Sequence, residues 1–151
     1  MSRFCSIIFG LIITLSIGLS FGSAAIATGL NNGHLEACPS SPNCVVSQDG
    51  DEKHAVEPIA YNGDRNSVKE ALLKVLSVVP RTEVVEDTGD YIRTESTSRI
   101  FKFVDDAEFY FPKDENVIQV RSASRVGESD LGVNRRRIEQ IRLALADLLG
   151  E

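Results

Sequence analysis

Phe103-Val104-Asp105-Asp106-Ala107-Glu108-Phe109-Tyr110-Phe111-Pro112, the turn Lys113-Asp114-Glu115-Asn116 and Val117-Ile118-Gln119-Val120-Arg121-Ser122-Ala123-Ser124 decide how this chain folds. Polar and apolar residues alternate on both sides of the turn, a period of two that predicts a β-hairpin. Successive strand side chains point to opposite faces, so Ala107, Phe109 and Phe111 share one face with Ile118 and Val120, and Asp106, Glu108 and Tyr110 share the other with Gln119 and Arg121. One face is built for a core. The other carries charge.

The same period extends upstream. Thr82 to Glu86 and Tyr91 to Thr97, separated by the turn Thr88-Gly89-Asp90, predict two further strands, and Tyr91, Arg93 and Glu95 join the charged face. Val56 to Tyr61 is a candidate first strand. Ser98 to Phe103 fits neither period, and a bend there would decide where Arg99 points. Val68, Leu72, Val75, Leu76 and Val79 recur at helical spacing after Ser67-Val68-Lys69-Glu70, which has the spacing of a capping box, and Pro80 stops the run. A closing helix starts near Asn134, a residue able to cap, with Val133 and Ile138 at staple positions and a stripe of Ile138, Ile141, Leu145 and Leu148. Two amphipathic helices and a one-sided sheet predict an α+β fold: a two-layer sandwich of four to five antiparallel strands with both helices on one face.

Upstream of residue 53 the character changes. Arg3, the apolar run Ile7 to Phe21 and the small residues Ser23-Ala24-Ala25-Ile26-Ala27 read as a secretory signal peptide over residues 1–27, cut after Ala27, with a retained anchor as the alternative. Residues 28–52 read as an extended lead-in, and 53–151 as a single domain. Removal of the leader takes Cys5 and leaves Cys38 and Cys44, an even pair around Pro39-Ser40-Ser41-Pro42-Asn43 in a compartment where disulfides persist, so a structural disulfide is expected. Once the leader is cut, no stable membrane span is expected.

With 151 residues, 42% of them apolar and 25% charged, the chain is neither disordered nor low in complexity. Its net charge of −6 argues against a nucleic-acid partner, which needs a basic footprint. His34 and His54 are not at ligand spacing from the cysteines, so no metal and no cofactor is expected. Nucleophile-elbow, Walker and His-Glu-x-x-His motifs are absent.

The polar chemistry concentrates in two places. Arg135, Arg136 and Arg137 fall in the first turn of the closing helix, where the macrodipole disfavours cations, so something must compensate them. Carboxylates are one answer, with Asp105, Asp106, Glu108 and Asp130 as candidates, and a bound phosphate, sulfate or carboxylate is the other. The second place is the charged sheet face, where Arg93, Glu95, Asp106, Glu108, Tyr110 and Arg121 can neutralise one another by cross-strand pairing. Asp106 and Glu108, with Asp105 beside them, are also the only carboxylates that suggest acid–base chemistry.

Several blocks of the chain resemble one family. Cys38-Pro39-Ser40-Ser41-Pro42-Asn43-Cys44-Val45, His54-Ala55-Val56-Glu57-Pro58, Tyr91-Ile92-Arg93-Thr94-Glu95, the run Ser98 to Phe109, and Val120-Arg121-Ser122-Ala123-Ser124-Arg125-Val126-Gly127 leading into Ser129-Asp130-Leu131-Gly132-Val133-Asn134-Arg135-Arg136-Arg137-Ile138-Glu139 are similar to the domain of unknown function 1499 family of bacteria and plastids. The similarity runs from about Cys38 to Leu145. The resemblance implies no reaction, cofactor or ligand, but it directs attention to Arg93, Asp105, Asp106, Arg121, Arg125 and Asn134 to Arg137. Thr94 and Ser96 stand where the family usually carries Ala and an aromatic, which implies looser packing of that strand. With the leader, the resemblance implies an exported protein of periplasm or thylakoid lumen.

Three functions follow as expectations. The preferred one is a non-catalytic exported domain binding an acidic small molecule, a lipid headgroup or an envelope protein through Arg93, Arg121, Arg125, Asn134, Arg135, Arg136 and Arg137. The alternative is a hydrolase or lyase with Asp105, Asp106 or Glu108 as acid and base and arginine stabilising developing charge. A structural interaction module is a third possibility.

Overall fold

The computed structural model describes residues 28–151. The expected leader, residues 1–27, lies outside the described residues. Ten elements follow in order: β1 (Leu30–Asn31), β2 (His34–Leu35), β3 (Cys44–Val46), β4 (Ile59–Ala60), α1 (Arg65–Val78), β5 (Thr82–Asp87), β6 (Tyr91–Thr97), β7 (Val104–Tyr110), β8 (Val117–Ser124) and α2 (Val133–Leu149). The fold is α+β, with two helices and antiparallel strand pairing.

The main sheet has six strands rather than four to five, in the order β3-β8-β7-β6-β5 with β4 also on β8. The extra strand is β3, inside the segment expected to be a lead-in. The start of β8 pairs with β4 through Ile118 and Ile59, and its end pairs with β3 through Ala123 and Cys44, so two short strands successively cover one long edge. Short segments beside a disulfide carry too little periodicity to be recognised as strands. Cys38 and Cys44 are bonded, with Cα atoms 5.6 Å apart, and this ring holds β3 where it meets β8.

The hairpin forms as alternation dictates, with Phe109 opposite Val120 and Glu108 opposite Arg121. Ile92, Ala107, Phe109, Phe111, Ile118 and Val120 share a core with Val68, Leu72 and Leu76 of α1 and Ile138, Ile141 and Leu145 of α2. Side chains this deeply buried contribute about 1.5–3 kcal/mol each for the larger aliphatic and aromatic residues. Both helices therefore pack on the apolar sheet face.

The opposite face is also covered, contrary to a plain two-layer arrangement. The β1–β2 ribbon crosses it, with Leu35 packing against Val46 and Tyr91. Glu108 and Arg121 are consequently fully buried.

Both helix starts differ from expectation in the same way. An aspartate upstream supplies the cap. Asp64 accepts from the Ser67 backbone N–H at 2.9 Å, so α1 begins before the Ser67-centred box. Asp130 accepts from the N–H groups of Gly132 and Asn134 at 2.9 and 2.8 Å, while Gly132 takes the left-handed conformation, φ +76°, that a side chain disfavours. Asn134 lies inside the first turn, fully buried, and Val133 remains exposed rather than joining Ile138 in the core.

Candidate functional site

The strands bring the charged residues into two assemblies on one sheet face. Glu108 accepts from the Tyr91 hydroxyl at 2.7 Å, from the Gly29 backbone N–H at 2.7 Å and from Arg121 Nη1 at 2.7 Å. Arg121 and Glu108 sit opposite each other in register, and the ribbon seals them from water. Arg121 Nε has no hydrogen-bond partner among the described residues. Burial and the Glu108 carboxylate both raise the Tyr91 phenol above its ordinary value, so Tyr91 is a donor here and not a proton source.

One pair further along, Asp106 lies between Arg93 and Arg125. Arg125 grips it with a fork, Nε to Oδ2 at 2.7 Å and Nη2 to Oδ1 at 2.9 Å, and Arg93 Nη1 reaches Oδ1 at 3.0 Å. Glu95 bonds both arginines, and Glu86 lies 3.5 Å from Arg93 Nε. Burial opposes ionisation of Asp106, yet the guanidinium groups of Arg125 and Arg93 outweigh it and hold the carboxyl below its ordinary value. The same bond to Asp106 raises Arg125. Glu108 stands opposite both Arg93 and Arg121 in register, and Arg125, one residue beyond β8, reaches back to Asp106.

Asp105 belongs elsewhere. Alternation turns it toward the helices, away from Asp106 and Glu108, so the three carboxylates do not form one acid–base set. Asp105 Oδ2 accepts from Arg137 Nη2 at 2.5 Å. Arg137 Nη1 also reaches Asn134 Oδ1 at 2.6 Å and Ser122 Oγ at 3.1 Å. Asn134 in turn donates to the Asn43 carbonyl and to Ser124 Oγ, both at 3.0 Å. Asn134 is thus a buried hub joining α2, β8 and the end of the disulfide ring, its side-chain oxygen and nitrogen both engaged within the fold.

The three consecutive arginines separate around α2. Arg135 turns away from the other two and donates to the carbonyls of Ala55 at 2.8 Å and Lys53 at 2.9 Å. Arg136 donates to the Leu131 carbonyl at 2.8 Å and has no carboxylate partner among the described residues. Carbonyl groups therefore supply the compensation for two of the three, and Asp105 for the third.

Arg136 and Arg137 form one wall of a cleft of about 420 Å³. The opposite wall comes from the junction of α1 with β5, at Arg81, and from the end of β6, at Ser98 and Arg99. Arg81 Nε donates to the Thr97 carbonyl at 3.1 Å, and Arg99 makes no ion pair among the described residues. Among the described residues, Asp105 is the single acidic one lining the cleft, and Arg137 already engages it. Four guanidinium groups thus face one carboxylate. Such a cleft has the size of a small-molecule site and the charge of an anion site.

Arg81 and Arg99 are absent from the set chosen by sequence. Arg81 follows the helix-ending Pro80 and takes a left-handed φ of +57°, so no strand or helix period assigns its direction. Arg99 lies in the stretch that fitted neither period. Of the sequence-selected arginines, Arg93, Arg121 and Arg125 are committed to the sheet face, and only Arg136 and Arg137 reach the cleft.

The histidines are tied locally. His54 Nδ1 lies 2.7 Å from Asp51 and Nε2 lies 3.2 Å from the Ser41 carbonyl, bracing the disulfide ring. Among the described residues, no cluster of three His, Cys, Asp or Glu side chains is placed to hold a metal. None of their helices is long and apolar enough to cross a membrane.

No curated protein matches the chain. A family model described as protein of unknown function, DUF1499, matches residues 34–145. The match runs from the ribbon strand β2 through most of α2 and encloses the sealed pair Glu108–Arg121 and every arginine of the cleft. By that span, the chain belongs to the DUF1499 family.

Proposed function

We propose that this protein is a non-catalytic exported domain that binds an acidic group, phosphate or carboxylate, in the cleft at the start of α2. The observation that carries this reading is the charge imbalance of the cleft lining: Arg81, Arg99 and Arg136 lack carboxylate partners among the described residues, and Asp105 is already bonded to Arg137. Guanidinium groups present planar donor pairs that match phosphate and carboxylate oxygens. The helix dipole adds a favourable field for an anion, although Asp130 already occupies the first N–H groups, so the arginines carry the recognition. Export to periplasm or thylakoid lumen accords with the apolar leader sequence and the Cys38–Cys44 disulfide.

The hydrolase or lyase reading needs a carboxylate free to exchange a proton. Asp106 is held by Arg93 and Arg125, Glu108 is sealed with Arg121, and Asp105 faces another side of the sheet. Titration with inorganic phosphate, followed by NMR, tests the proposal. Backbone amide shifts confined to Arg81, Thr97–Arg99 and Val133–Arg137 are expected, and they weaken at least tenfold in Arg136→Ala. Shifts absent from these residues, or equal in wild type and variant, would remove the cleft as the site.

A further inference from the structure

The connection between β6 and β7, Ser98-Arg99-Ile100-Phe101-Lys102-Phe103, presents apolar residues to solvent in a way the core does not explain. Ile100 is 77% exposed, Phe101 73% and Phe103 50%. The loop is nonetheless ordered by its own bonds. Ser98 N donates to the Phe103 carbonyl at 2.8 Å, and Phe103 N donates to Ser98 Oγ at 2.9 Å. The two phenylalanine rings stack on each other, 5.6 Å between centroids. Beyond the cleft, Leu131 is 84% exposed beside Arg136, which bonds its carbonyl. Clustered exposed apolar side chains on a folded domain mark an interaction surface.

The charges around this tip select the partner. Arg99 precedes the apolar residues of the loop and Lys102 lies between its two phenylalanines, while Arg81 and Arg136 line the cleft. The antiparallel topology puts the beginning of α1, the β7–β8 turn and the chain end at the opposite pole, where Asp64, Asp114, Glu115 and Glu151 are exposed. In a chain of net charge −6, the loop Ser98–Phe103 carries two cations and no acid. That local excess of cations, continued by the cleft behind it, turns this end of the molecule toward a negative surface. Aromatic side chains among arginine and lysine suit an interface in which rings enter the acyl boundary and cations remain among headgroups.

We infer that the loop Ser98–Phe103, with the arginine cleft behind it, docks the protein on an anionic lipid surface. Phe101, Phe103 and Ile100 insert, Arg99 and Lys102 pair with lipid phosphates, and one headgroup enters the cleft. This rests on the anion-binding reading of the cleft for the last step only, and it names the lipid as the source of the anion.

The chain contains no tryptophan, so Phe101→Trp supplies a single reporter at the loop tip. Vesicles of phosphatidylglycerol mixed with phosphatidylcholine are expected to shift its emission to the blue, with quenching by bromines on the acyl chains. Phosphatidylcholine alone is expected to leave it unchanged. In Arg99→Gln with Lys102→Asn, vesicle affinity falls at least tenfold, as expected for two cations at a lipid surface. Asparagine tolerates the left-handed φ of +58° at position 102, so the fold is retained. An emission that stays water-like with anionic vesicles would overturn the docking surface, even if phosphate still binds the cleft. A blue shift without phosphate binding would retain the docking surface and remove the small-anion site. A shift that appears without lipid and grows with protein concentration would make the occupant a second copy and overturn the inference.

Discussion

Arginines stand at two regions of this molecule, and their surroundings are opposite. On the sheet face, Arg93, Arg121 and Arg125 meet Asp106, Glu108, Glu95 and Glu86, and the β1–β2 ribbon closes over the deepest pair. In the cleft, Arg81, Arg99 and Arg136 meet backbone carbonyls or solvent, and the one carboxylate of its described lining bonds Arg137. Residue type is the same in both. What differs is register: strand pairing sets Glu108 opposite both Arg93 and Arg121 and brings Asp106 within reach of Arg125, whereas a helix start and two loop junctions converge without such a rule. Cations paired in this way are neutralised within the protein, and those of the cleft, Arg137 apart, are left without acids among the described residues.

The comparison breaks most sharply at Arg121. Arg121→Met leaves Glu108 buried without its cation, which destabilises the fold by about 3–5 kcal/mol in denaturant unfolding. Replacing both residues by apolar side chains of similar volume recovers most of that loss, because neither charge then remains buried. If Arg121→Met is nearly neutral, the sheet face is not the closed structural network described above.

Reduction of the Cys38–Cys44 bond is expected to lower stability by about 2 kcal/mol, the loop entropy of a short ring. The loss falls on β3 and the Asn43–Asn134 contact, so hydrogen exchange should rise first at Cys44–Val46 and last in the β7–β8 hairpin.

Acid should weaken the sheet face through Asp106. Asp106 titrates lower in the folded chain than its ordinary value of 3.8. Its contribution is therefore complete above that value and is lost as pH falls through the depressed folded one. In Asp106→Asn the acid limb of a pH–stability curve flattens, and an unchanged limb would exclude Asp106 as its source.

The smallest effect on stability belongs to the cleft. Arg99→Ala and Arg136→Ala should each change unfolding free energy by no more than about 0.5 kcal/mol, since neither has a buried partner. Phosphate affinity falls in both. Variants that unfold instead would place Arg136 among the structural arginines and erase the distinction between the two regions.

Alternation in Val104–Tyr110 and Val117–Ser124 sufficed for the hairpin, its two faces and the helix-facing core, because a period of two is a local property of the chain. Helical spacing likewise locates α1 and α2 but not their caps, because Asp64 and Asp130 outcompete Ser67 and Asn134 for the first N–H groups. Thr94 and Ser96, which implied loose packing, are buried and bonded to the Ala107 carbonyl and to Thr82. Small polar residues at a sheet center can satisfy each other across strands, which no single segment reveals.

Sequence alone determined which residues face each other along a strand and which stripe of each helix is apolar, since both follow from backbone geometry within a few residues. Tertiary structure decided which charges are neutralised. The ribbon over Glu108 and Arg121, and the meeting of Arg81, Arg99 and Arg136, join segments far apart in the chain. The electrostatic environment of a guanidinium group depends on what lies within a few ångströms of it in space, and that is fixed only when the helices close on the sheet.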